Sequence, residues 1–332
     1  MEKRVVLINP PPERVVEEYD APTYGHMGLA YLAASLVKDG IGCEVIDGKL
    51  SKLKPGDVVG RVLELAPEVV GLTGYTHEIT NAAALAEEIK KRLPDVKIVL
   101  GGVHASCLPV RTMKDFKCFD FLIKGEGEAS FPALCRHLLK KDAAAVPTVK
   151  GIFYRKAGGV EAGHAPEWIA DLDKIPLPAW PLFKDATTYP VMTSRGCPYG
   201  CIFCARVLGE RVRTRSPENV IAELEMLSGD FRARWVYFYD ETFGFYKDWL
   251  DKFLGLMVTT GLSRKVHWGI MTRANMITEE MVRRMKEAGC GKIDFGVESG
   301  DERILKIINK GEKLEDFARA AAIVKKARGI IS

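Results

Sequence analysis

Three cysteines lie within eight positions of one another in the stretch "SRGCPYGCIFCAR". Cys197, Cys201 and Cys204 have the spacing C-x₃-C-x₂-C, and thiolates are soft ligands that suit zinc, Cu(I) and iron–sulfur clusters. A closed zinc site usually takes two C-x₂₋₄-C pairs, and the sequence contains no second pair. A redox pair of Cys201 and Cys204 leaves Cys197 without a role. The spacing therefore favours an iron–sulfur cluster, with a zinc site and redox thiols as the alternatives.

Three thiolates are one fewer than a four-iron cluster normally takes. One iron is then left with an open position at which a substrate can bind. Such a cluster can take part in chemistry as well as carry electrons, because the bound substrate is in direct contact with iron.

The composition is that of a globular protein. The chain has 332 residues, of which 47% are apolar and 28% charged, and this length suits two domains. The net charge is only +4 and no basic run is long enough for a nucleic-acid arm, so we expect no nucleic-acid partner. No stretch approaches the roughly 20 apolar residues of a membrane span. The start lacks the apolar run of a signal peptide, so the eight cysteines predict free thiols or metal ligands in a reducing cytoplasm.

Short β-branched runs alternate with helical patterns over residues 1–145, which is typical of a parallel α/β sheet. The first helical pattern repeats Leu29, Leu32 and Leu36 and can end at Gly40. We therefore predict a doubly wound five-stranded sheet, which binds ligands beyond the carboxyl ends of its strands. The predicted strands are "RVVLINP", "CEVID", "VVGLTGYT", "KIVLGGVH" and "DFLIKGEG".

Polar residues and glycines follow these predicted strands, at Asn9, Gly74–His77, Gly101–His104 and Gly125–Glu128. Glycine lets the backbone approach a bulky ligand, although a tight turn also explains any one of them. The segment "GEGEAS" is incomplete as a dinucleotide loop, and its two glutamates would repel a pyrophosphate. Because four such loops share one rim of the sheet, we expect a ligand there.

The alternation of strands and helices is interrupted over residues 146–188, which are rich in Pro and Gly. Trp168, Trp180 and Phe183 need a surface to pack on, so we predict a packed connector. Alternation resumes over residues 189–332, with predicted strands in "YPVMTSRGC", "WVYFYDETF", "VHWGIMTRA" and "KIDFGVESG".

A run of β/α units is the plan of a barrel, in which reactive groups come from the carboxyl ends of the strands. Cys197, Asp240, Glu241, Arg273 and Glu298 all lie at or just beyond such ends. The predicted partial barrel therefore collects these side chains on one edge.

The cysteine loop, with Phe203 as the aromatic residue of C-x₃-C-x-aromatic-C, resembles that of the radical S-adenosylmethionine (radical SAM) superfamily. "YFYDETF" lies where the second strand of that superfamily helps to bind the methionine amine, and "GVESG" where the fourth contacts SAM. The first half, with "GLAYLAASL", "LTGYTH", "LGGVHAS" and "IKGEGEASFPAL", resembles the cobalamin-binding domain often fused ahead of such a barrel. The likeness spans nearly the whole chain. It implies a flavodoxin-like cobalamin-binding sheet followed by a partial radical SAM barrel.

The resemblance implies three cofactors: a 4Fe–4S cluster held by Cys197, Cys201 and Cys204, SAM on the fourth iron, and cobalamin. An external electron donor of flavodoxin or ferredoxin type would reduce the cluster. SAM would then yield methionine and a 5′-deoxyadenosyl radical, which removes hydrogen from an unactivated C–H bond of a small-molecule substrate. In cobalamin-fused members methylcobalamin usually then delivers a methyl group, which implies a C-methyltransferase.

The resemblance also suggests contacts to SAM. One of the adjacent acids Asp240 and Glu241 is expected to accept a hydrogen bond from the SAM ammonium, and the other to be solvated. Arg273 is expected to pair with the SAM carboxylate or to form an exposed salt bridge. Glu298 and Ser299 are expected to reach the ribose or methionine end, with helix capping as the alternative for Ser299. Beyond these acids and bases, the aromatic residue of the motif is expected to pack beside the cluster or the adenine, or within the core.

The expected contacts to cobalamin lie on the predicted rim. His77 is a possible lower ligand of cobalt by residue type, but the Asp-x-His-x-x-Gly motif of other cobalamin domains is absent, so we predict a polar rim residue. The expected contacts are Asn9, Thr73, Tyr75, Thr76, His77, Gly101, Gly102, His104, Gly125 and Gly127.

Two further sets of residues are predicted to be structural. Five cysteines without partners at metal-ligand spacing are expected to be small core residues, namely Cys43, Cys107, Cys118, Cys135 and Cys290. Four arginines that follow the cysteine loop are expected to form a solvated face, namely Arg206, Arg211, Arg213 and Arg215.

The sequence supplies four β/α units and the first residues of a fifth strand, where radical SAM domains usually have six units. We therefore expect a fragment of a longer protein, or a partner that covers the edge of the sheet. Two other functions stay open: a cobalamin-dependent radical SAM cyclase or rearrangement enzyme, and a non-catalytic module that retains the cofactors without turnover.

Overall fold

A computed structural model of the protein describes residues 4–12 and 22–327. The chain divides into two compact units, the first formed by Met1–Ile169 with Lys174–Ala186 and the second by Ala170–Asp173 with Thr187–Ser332. Each unit contains its own sheet with parallel strands. No helix among the described residues has both the length and the apolar composition to cross a lipid bilayer.

Seven strands form one sheet in the first unit. They are β1 (Val5–Asn9), β2 (Cys43–Asp47), β3 (Val69–Thr73), β4 (Lys97–Gly101), β5 (Phe121–Ile123), β6 (Ile152–Lys156) and β7 (Gly159–Ala162). The first five are parallel in the order β2-β1-β3-β4-β5, and β6 and β7 continue the sheet beyond β5 as an antiparallel hairpin. The five predicted strands are confirmed. The order is that of a doubly wound sheet whose connections reverse between β1 and β3.

The hairpin of β6 and β7 lies in the segment that the sequence predicts as a connector, so the sheet is two strands larger than predicted. Of its residues only Ile152 is buried, and this leaves the hairpin without the apolar pattern that marks the other strands. Trp180 and Phe183 are buried as predicted, with ring centroids 5.7 Å apart. Trp168 is instead 39% exposed.

Six α-helices belong to the first unit: α1 (Met27–Lys38), α2 (Pro55–Leu65), α3 (Ile79–Arg92), α4 (Val103–Cys107), α5 (Pro109–Asp115) and α6 (Gly127–Leu139). Val6 and Ile8 of β1 belong to the core shared with α2 and α3. On the other face, the small residue Gly71 of β3 leaves room for Leu7 and for Phe131 of α6. Helices therefore pack on both faces of the sheet, as a doubly wound fold requires.

Six strands belong to the second unit: β8 (Tyr189–Val191), β9 (Ser194–Arg195), β10 (Arg213–Thr214), β11 (Trp235–Phe238), β12 (His267–Met271) and β13 (Cys290–Asp294). The strands β8, β11, β12 and β13 form a parallel sheet in chain order, which is the predicted partial barrel of four units. The strands β9 and β10 form a separate antiparallel ribbon.

The prediction of one continuous strand through "YPVMTSRGC" is wrong, because the chain leaves the sheet after Val191. The N–H of Thr193 donates to Asp240 Oδ1 at 2.7 Å, and its carbonyl accepts from the Arg215 N–H at 2.9 Å. These bonds replace those of a parallel ladder and turn the chain toward the cysteine loop.

Five α-helices belong to the second unit: α7 (Pro217–Gly229), α8 (Lys247–Thr259), α9 (Glu279–Glu287), α10 (Glu302–Ile307) and α11 (Leu314–Lys326). As predicted, α7 begins at Ser216, whose hydroxyl accepts from the Asn219 N–H at 3.2 Å. A fully buried aromatic group, with Phe238, Phe253 and Trp268, joins the sheet to α8. The predicted start of a fifth strand lies at residues 328–332, outside the described residues.

Candidate functional site

The cysteine loop connects β9 to β10, and its base is closed by one glycine. Gly196 has a φ of +94°, and a Cβ atom there would lie 2.3 Å from the carbonyl oxygen of Arg211. The next N–H, that of Cys197, donates to the Gly209 carbonyl at 3.1 Å. Only glycine fits the turn that starts the loop, since both the left-handed backbone and the close carbonyl exclude a side chain.

The three thiols differ in exposure but lie close enough to affect one another. Cys201 is buried, Cys197 is half-buried and Cys204 is exposed, and Cys197 Sγ lies 3.5 Å from Thr242 Oγ1. Burial of the sulfur raises the pKa of Cys204, and the nearby thiols of Cys201 and Cys197 raise it further. Neighbouring thiolates repel one another, and a bound metal would supply the positive centre that offsets this repulsion.

The described residues contain no group of three or more His, Cys, Asp or Glu side chains arranged around a single metal ion. A tetrahedral zinc site requires that arrangement, with each sulfur about 2.3 Å from one point. In a four-iron cluster each thiolate binds a different iron, so the sulfurs stand apart. Three neighbouring thiols on one loop match the three protein ligands predicted for such a cluster.

Asp240 follows β11 and is buried, with both carboxylate oxygens engaged by the protein. Oδ1 accepts from the Thr193 N–H, while Oδ2 accepts from the Ser194 hydroxyl at 2.8 Å and from the Thr193 hydroxyl. Burial raises the pKa of the Asp240 carboxyl, and these hydrogen bonds oppose that rise. Asp240 therefore positions the start of the cysteine loop and has no oxygen free for a ligand.

The neighbouring acid, Glu241, is arranged differently. One carboxylate oxygen accepts a hydrogen bond from the N–H of Gly196, directly before the first cysteine. Its Oε2 atom is buried and has no hydrogen-bond partner among the described residues. Burial raises the pKa of the Glu241 carboxyl. Neither acid is simply solvated, and Glu241 is the one whose free oxygen suits a cationic ligand group.

Arg273 lies beneath the cysteine loop and is buried, so it is not the exposed salt bridge that the sequence also allowed. Its guanidinium carbon is 3.8 Å from the ring centroid of Tyr199, and Nη1 is 4.0 Å from Cys201 Sγ. Nη2 pairs with Glu312 Oε2 at 3.3 Å and donates to the carbonyl of Lys310. Arg273 therefore connects the loop to a much later segment of the chain.

The loop after β13 places Glu298 and Ser299 as predicted beyond a strand end. Glu298 has a left-handed φ of +62°, and its Oε1 accepts from Lys310 Nζ at 3.2 Å. A Cβ at Gly296 would lie 2.3 Å from that carboxylate oxygen, so a side chain there would displace the Glu298 carboxylate from its present position. The Ser299 hydroxyl accepts from the Asp301 N–H at 3.1 Å, but the N-cap of α10 is Asp301, so the helix-capping alternative for Ser299 is wrong.

Phe203 is 52% exposed, so its expected alternative as a core residue is wrong. The arginine face is also only partly as predicted, because Arg215 is buried and paired with the buried Glu223. Arg211 is exposed, as expected of a solvated face.

Four of the five remaining cysteines are buried as predicted, whereas Cys107 is exposed. Burial raises the pKa of Cys118 to about 11 and that of Cys290 to about 12, so both stay protonated at neutral pH.

The predicted rim of the first unit lies where the sheet order reverses, between β1 and β3. Asn9 is buried at the end of β1, and its Nδ2 donates to Asp47 Oδ1 at 2.8 Å. Asp47 also accepts from the N–H groups of His26 at 2.9 Å and Leu50 at 3.2 Å. Asp47 was not among the predicted rim residues, although it ends the strand "CEVID". Asn9 therefore connects the end of β1 to the end of β2 beneath the surface of the rim.

The segment after β3 presents ring faces. Tyr75 is 47% exposed, and its ring stacks on that of His77 with centroids 5.9 Å apart. Beneath them, Lys49 pairs with Glu78, which also accepts from the Tyr75 N–H at 3.2 Å. Lys49 and Glu78 were also missed, because they come from separate loops with no shared motif.

His104 is buried and hydrogen-bonded through both ring nitrogens, at 3.2 Å to Thr76 Oγ1 and 3.0 Å to Thr112 Oγ1. Burial lowers the pKa of His104, so the ring is neutral near pH 7. Through these two bonds, His104 connects the loop after β3 to α5, and neither ring nitrogen is free to bind cobalt.

The glycines of the rim have distinct roles. Gly102 has a φ of +92°, and a Cβ there would lie 2.6 Å from Thr73 Oγ1, so two loops meet at this point. A Cβ at Gly101 would meet no atom within 4 Å, which leaves open space beside the rim. Gly125 has a φ of +86°, whereas a Cβ at Gly127 would lie 3.0 Å from the α1 side chain of Leu32. Open space and exposed ring faces fit a bulky planar ligand.

Comparison with known proteins connects both sites to families. Residues 191–331 match the sequence model of the Radical SAM superfamily, and residues 18–135 match that of the B12 binding domain. The chain is 32% identical to an uncharacterized methyltransferase, PH0819, of Pyrococcus horikoshii, over 97% of this chain and 71% of that protein.

Other relatives are more distant. The chain is 28% identical to the anaerobic magnesium-protoporphyrin IX monomethyl ester cyclase of Rubrivivax gelatinosus, over 90% of this chain but only 56% of that protein. The structure of the radical SAM methyltransferase TsrM from Kitasatospora setae, with cobalamin and a [4Fe-4S] cluster bound, has a TM-score of 0.80 and 18% identity. That match covers 99% of this chain and 66% of TsrM, and it shows a shared fold.

Proposed function

The chain belongs to the family of cobalamin-dependent radical SAM methyltransferases, and from this membership we propose that it methylates an unactivated carbon of a small molecule. We propose that Cys197, Cys201 and Cys204 hold a 4Fe–4S cluster that binds SAM, and that the rim of the first unit binds cobalamin. Because the chain spans only 56% to 71% of the relatives described above, the activity and substrate of the whole protein are part of this proposal.

The observation that carries the proposal is the combination, at one loop, of three thiols and one buried carboxylate oxygen without a partner among the described residues. A cluster with three protein ligands requires the thiols. A ligand with an ammonium group would use Glu241 Oε2, because a buried carboxylate oxygen without a hydrogen bond is costly. A redox pair leaves the third thiol without a role, and a closed zinc site takes four ligands where the loop supplies three thiols.

When bound, the cluster, SAM and cobalamin supply the electron, the radical and the methyl group, which amino-acid side chains cannot provide. The chain's own residues would bind these three groups and orient them. Glu241 Oε2 would accept a hydrogen bond from the SAM ammonium while its other oxygen holds Gly196. Arg273 would support the loop through Tyr199 and lie close to Cys201, rather than bind the SAM carboxylate.

The remaining contacts follow from exposure. Phe203, exposed at the end of the cysteine motif, would cover the cluster or the adenine. Glu298, held in a left-handed turn by Lys310, would face the ribose or the methionine end together with Ser299.

On the rim, Tyr75 and His77 offer a stacked pair of rings and Gly101 the open space that a corrin ring needs. Thr73, Thr76, Gly102 and Gly125 would shape this surface. We propose that the cobalt has no lower ligand from His104, whose two nitrogens already bind threonines.

We further propose a reduced flavodoxin- or ferredoxin-like protein as the electron donor, since SAM cleavage consumes an electron that no residue of the chain can supply. A reducing cytoplasm is the compartment that suits three reactive thiols on one loop.

A second candidate function is a cobalamin-dependent cyclisation or rearrangement. The similarity to a magnesium-protoporphyrin IX monomethyl ester cyclase favours this function, because the match to that protein covers 90% of this chain. The two functions share the proposed cofactor sites and differ in the product.

The test is anaerobic purification and reconstitution of the chain, followed by metal analysis and incubation with SAM and a reductant. We expect about four irons and four sulfides per chain, one cobalamin, and release of 5′-deoxyadenosine. Zinc without sulfide would overturn the proposal, and an intact cluster without release would favour a non-catalytic module. SAM labelled in its methyl group separates the two enzymes, since only a methyltransferase passes the label to cobalamin and product.

The role of Glu241 is tested by Glu241→Gln. We expect a roughly tenfold weaker binding of SAM with unchanged iron content, because the amide keeps a hydrogen-bond acceptor but loses the charge. The measurement is SAM affinity by equilibrium dialysis, with Glu315→Gln as the exposed control. Unchanged affinity would show that the free oxygen does not face the ammonium.

A further inference from the structure

A cavity of the second unit lies at the amino ends of β11 and β12, at the sheet edge opposite to the cysteine loop. Its volume is about 780 Å³, which is within the range of ligand-binding clefts. Ala233 and Leu262 form buried parts of the wall, and most of the remaining lining is polar or charged. Since these strands of four and five residues span about 15 Å, a ligand in this cavity does not touch the thiols.

The cavity is strongly basic. Its charged side chains are Arg232, Arg234, Arg264, Lys265 and Glu225, all of them exposed. Within the part of the chain that the structure describes, none of the four cations forms an ion pair or a side-chain hydrogen bond. The four cations therefore keep their donors available to a ligand.

The C-termini of two helices offset part of this positive charge. The side chains lining the cavity give a net charge of +3, from four cations and one carboxylate. The helices α7 and α8 end at the cavity, and each C-terminus contributes about half a negative charge. A charge of about +2 remains, which is what a dianion would neutralise.

The backbone at Arg232 has a left-handed conformation. Arg232 has a φ of +52°, in the turn after α7, where the Ala233 N–H donates to the Leu227 carbonyl at 2.9 Å. Glycine is the favoured residue at such a position, because any Cβ strains a left-handed backbone. A turn that only ended the helix would be more stable with glycine. Arg232→Gly is therefore a variant that removes the charge without adding backbone strain.

We propose that this cavity binds a small phosphorylated molecule through its phosphate dianion. Three of the four cations are arginines, and the guanidinium fork matches phosphate oxygens in pairs. A carboxylate monoanion would leave about one positive charge unneutralised. The cavity is larger than a phosphate ion, so the remainder of the molecule lies against Leu262 and the polar wall.

The test is calorimetric titration of the full chain with pyrophosphate at low salt, with lactate as the monoanion. We expect saturable one-to-one binding of pyrophosphate that weakens as salt rises, and no measurable binding of lactate. The double variant Arg232→Gln/Arg264→Gln should bind about tenfold more weakly. The matched control, Arg283→Gln/Arg319→Gln, removes two exposed arginines outside the cavity and should bind within about twofold of the parent chain.

The variant Arg232→Gly separates binding from folding. It removes the charge and also the backbone strain, so we expect weaker pyrophosphate binding with a melting temperature equal to or above that of the parent chain. The proposal is wrong if the parent chain shows no saturable binding at millimolar pyrophosphate, or if the cavity variants bind as well as the control. A single-stranded oligonucleotide that binds more tightly than pyrophosphate through the same arginines would overturn the choice of a small molecule.

Discussion

Two regions follow the carboxyl ends of parallel strands: the rim of the first unit and the cysteine loop of the second unit. They differ in whether their polar groups are hydrogen-bonded to the protein itself. On the rim, Asn9 and His104 are each bonded to protein neighbours. At the cysteine loop, Cys204 is exposed and Glu241 keeps an oxygen without a partner among the described residues. The rim uses polar groups to shape a surface, whereas the loop keeps polar groups for a ligand.

This difference predicts which changes remove a cofactor and which only weaken the fold. Removal of a group that is kept for a ligand should abolish binding with little effect on folding. Removal of a group that shapes the surface should lower stability first.

The largest expected effect is that of Cys201→Ala on the loop. We expect loss of the bound iron and of SAM cleavage, because two thiolates cannot hold a four-iron cluster. Cobalamin binding at the rim should be retained. Iron, sulfide and cobalt analysis after anaerobic reconstitution measures both outcomes.

The matched control for that change is Cys107→Ala, which removes an exposed thiol of the first unit. It should leave the iron content unchanged. If Cys201→Ala keeps its full iron content, the cysteine loop does not hold its thiols for a cluster, and the contrast between loop and rim is wrong.

The next effect concerns the support beneath the loop. Arg273→Gln leaves Glu312 buried beside Lys310 alone, and we expect the free energy of unfolding to fall by about 3 kcal/mol. The double variant Arg273→Gln/Glu312→Gln should recover most of this loss, because no unpaired charge stays buried. Urea unfolding of the protein without cofactors measures both.

An exposed ion pair provides the control for the buried one. Arg283→Gln should cost at most about 0.5 kcal/mol, since Arg283 pairs with Glu280 in solvent. If Arg273→Gln lowers the free energy of unfolding no more than Arg283→Gln does, Arg273 does not stabilise the cysteine loop.

A pair of adjacent glycines sharpens the comparison on the rim. Gly102→Ala should lower stability by about 2 kcal/mol, because of its left-handed φ and the contact with Thr73. Gly101→Ala should change stability by less than about 0.5 kcal/mol yet weaken cobalamin binding, since its methyl group enters open space. Thermal unfolding and cobalamin titration separate the two. Normal cobalamin affinity in Gly101→Ala would place the corrin elsewhere.

The smallest expected effect is the pH dependence due to His104. Burial lowers its pKa below the ordinary value of 6.5, so on acidification the unfolded chain takes up a proton before the folded protein does. The free energy of unfolding therefore falls as the pH drops through that range, with a slope below about 1.4 kcal/mol per pH unit, the limit for one proton. His104→Gln should reduce this slope in urea unfolding at pH 7.5 and 5.5 and leave the part due to His26, whose pKa burial also lowers. An unchanged slope in the variant would assign the whole effect to another group.

The cysteine motif and the strand order could be predicted from the sequence because their signals are local. Three thiols lie within eight positions, and each parallel strand is a continuous buried run such as "VVLIN" in β1. The same holds for the start of α7, where Ser216 and Pro217 lie next to the first helical turn.

The partners of the site could not be predicted, because they come from distant parts of the chain. Asp240 and Glu241 are adjacent, and only the tertiary structure shows that the first is saturated by Thr193 and that the second is not. Arg273 and Glu312 are separated by dozens of residues and share no motif. The hairpin of β6 and β7 was missed for a different reason: its exposure removes the apolar pattern.

The attachment of the cysteine loop to residues 308–312 has a consequence for how the protein matures. The Ile202 N–H donates to the Ile308 carbonyl at 3.1 Å, and the Asn309 side chain donates to the Gly200 carbonyl across 109 positions of sequence. Neither bond can form until the chain has been synthesised past Ile308 and Asn309. A nascent chain that has not yet emerged past Ile308 therefore holds its thiols in an unfinished loop, and iron delivered before that moment meets ligands that have not yet been set in place.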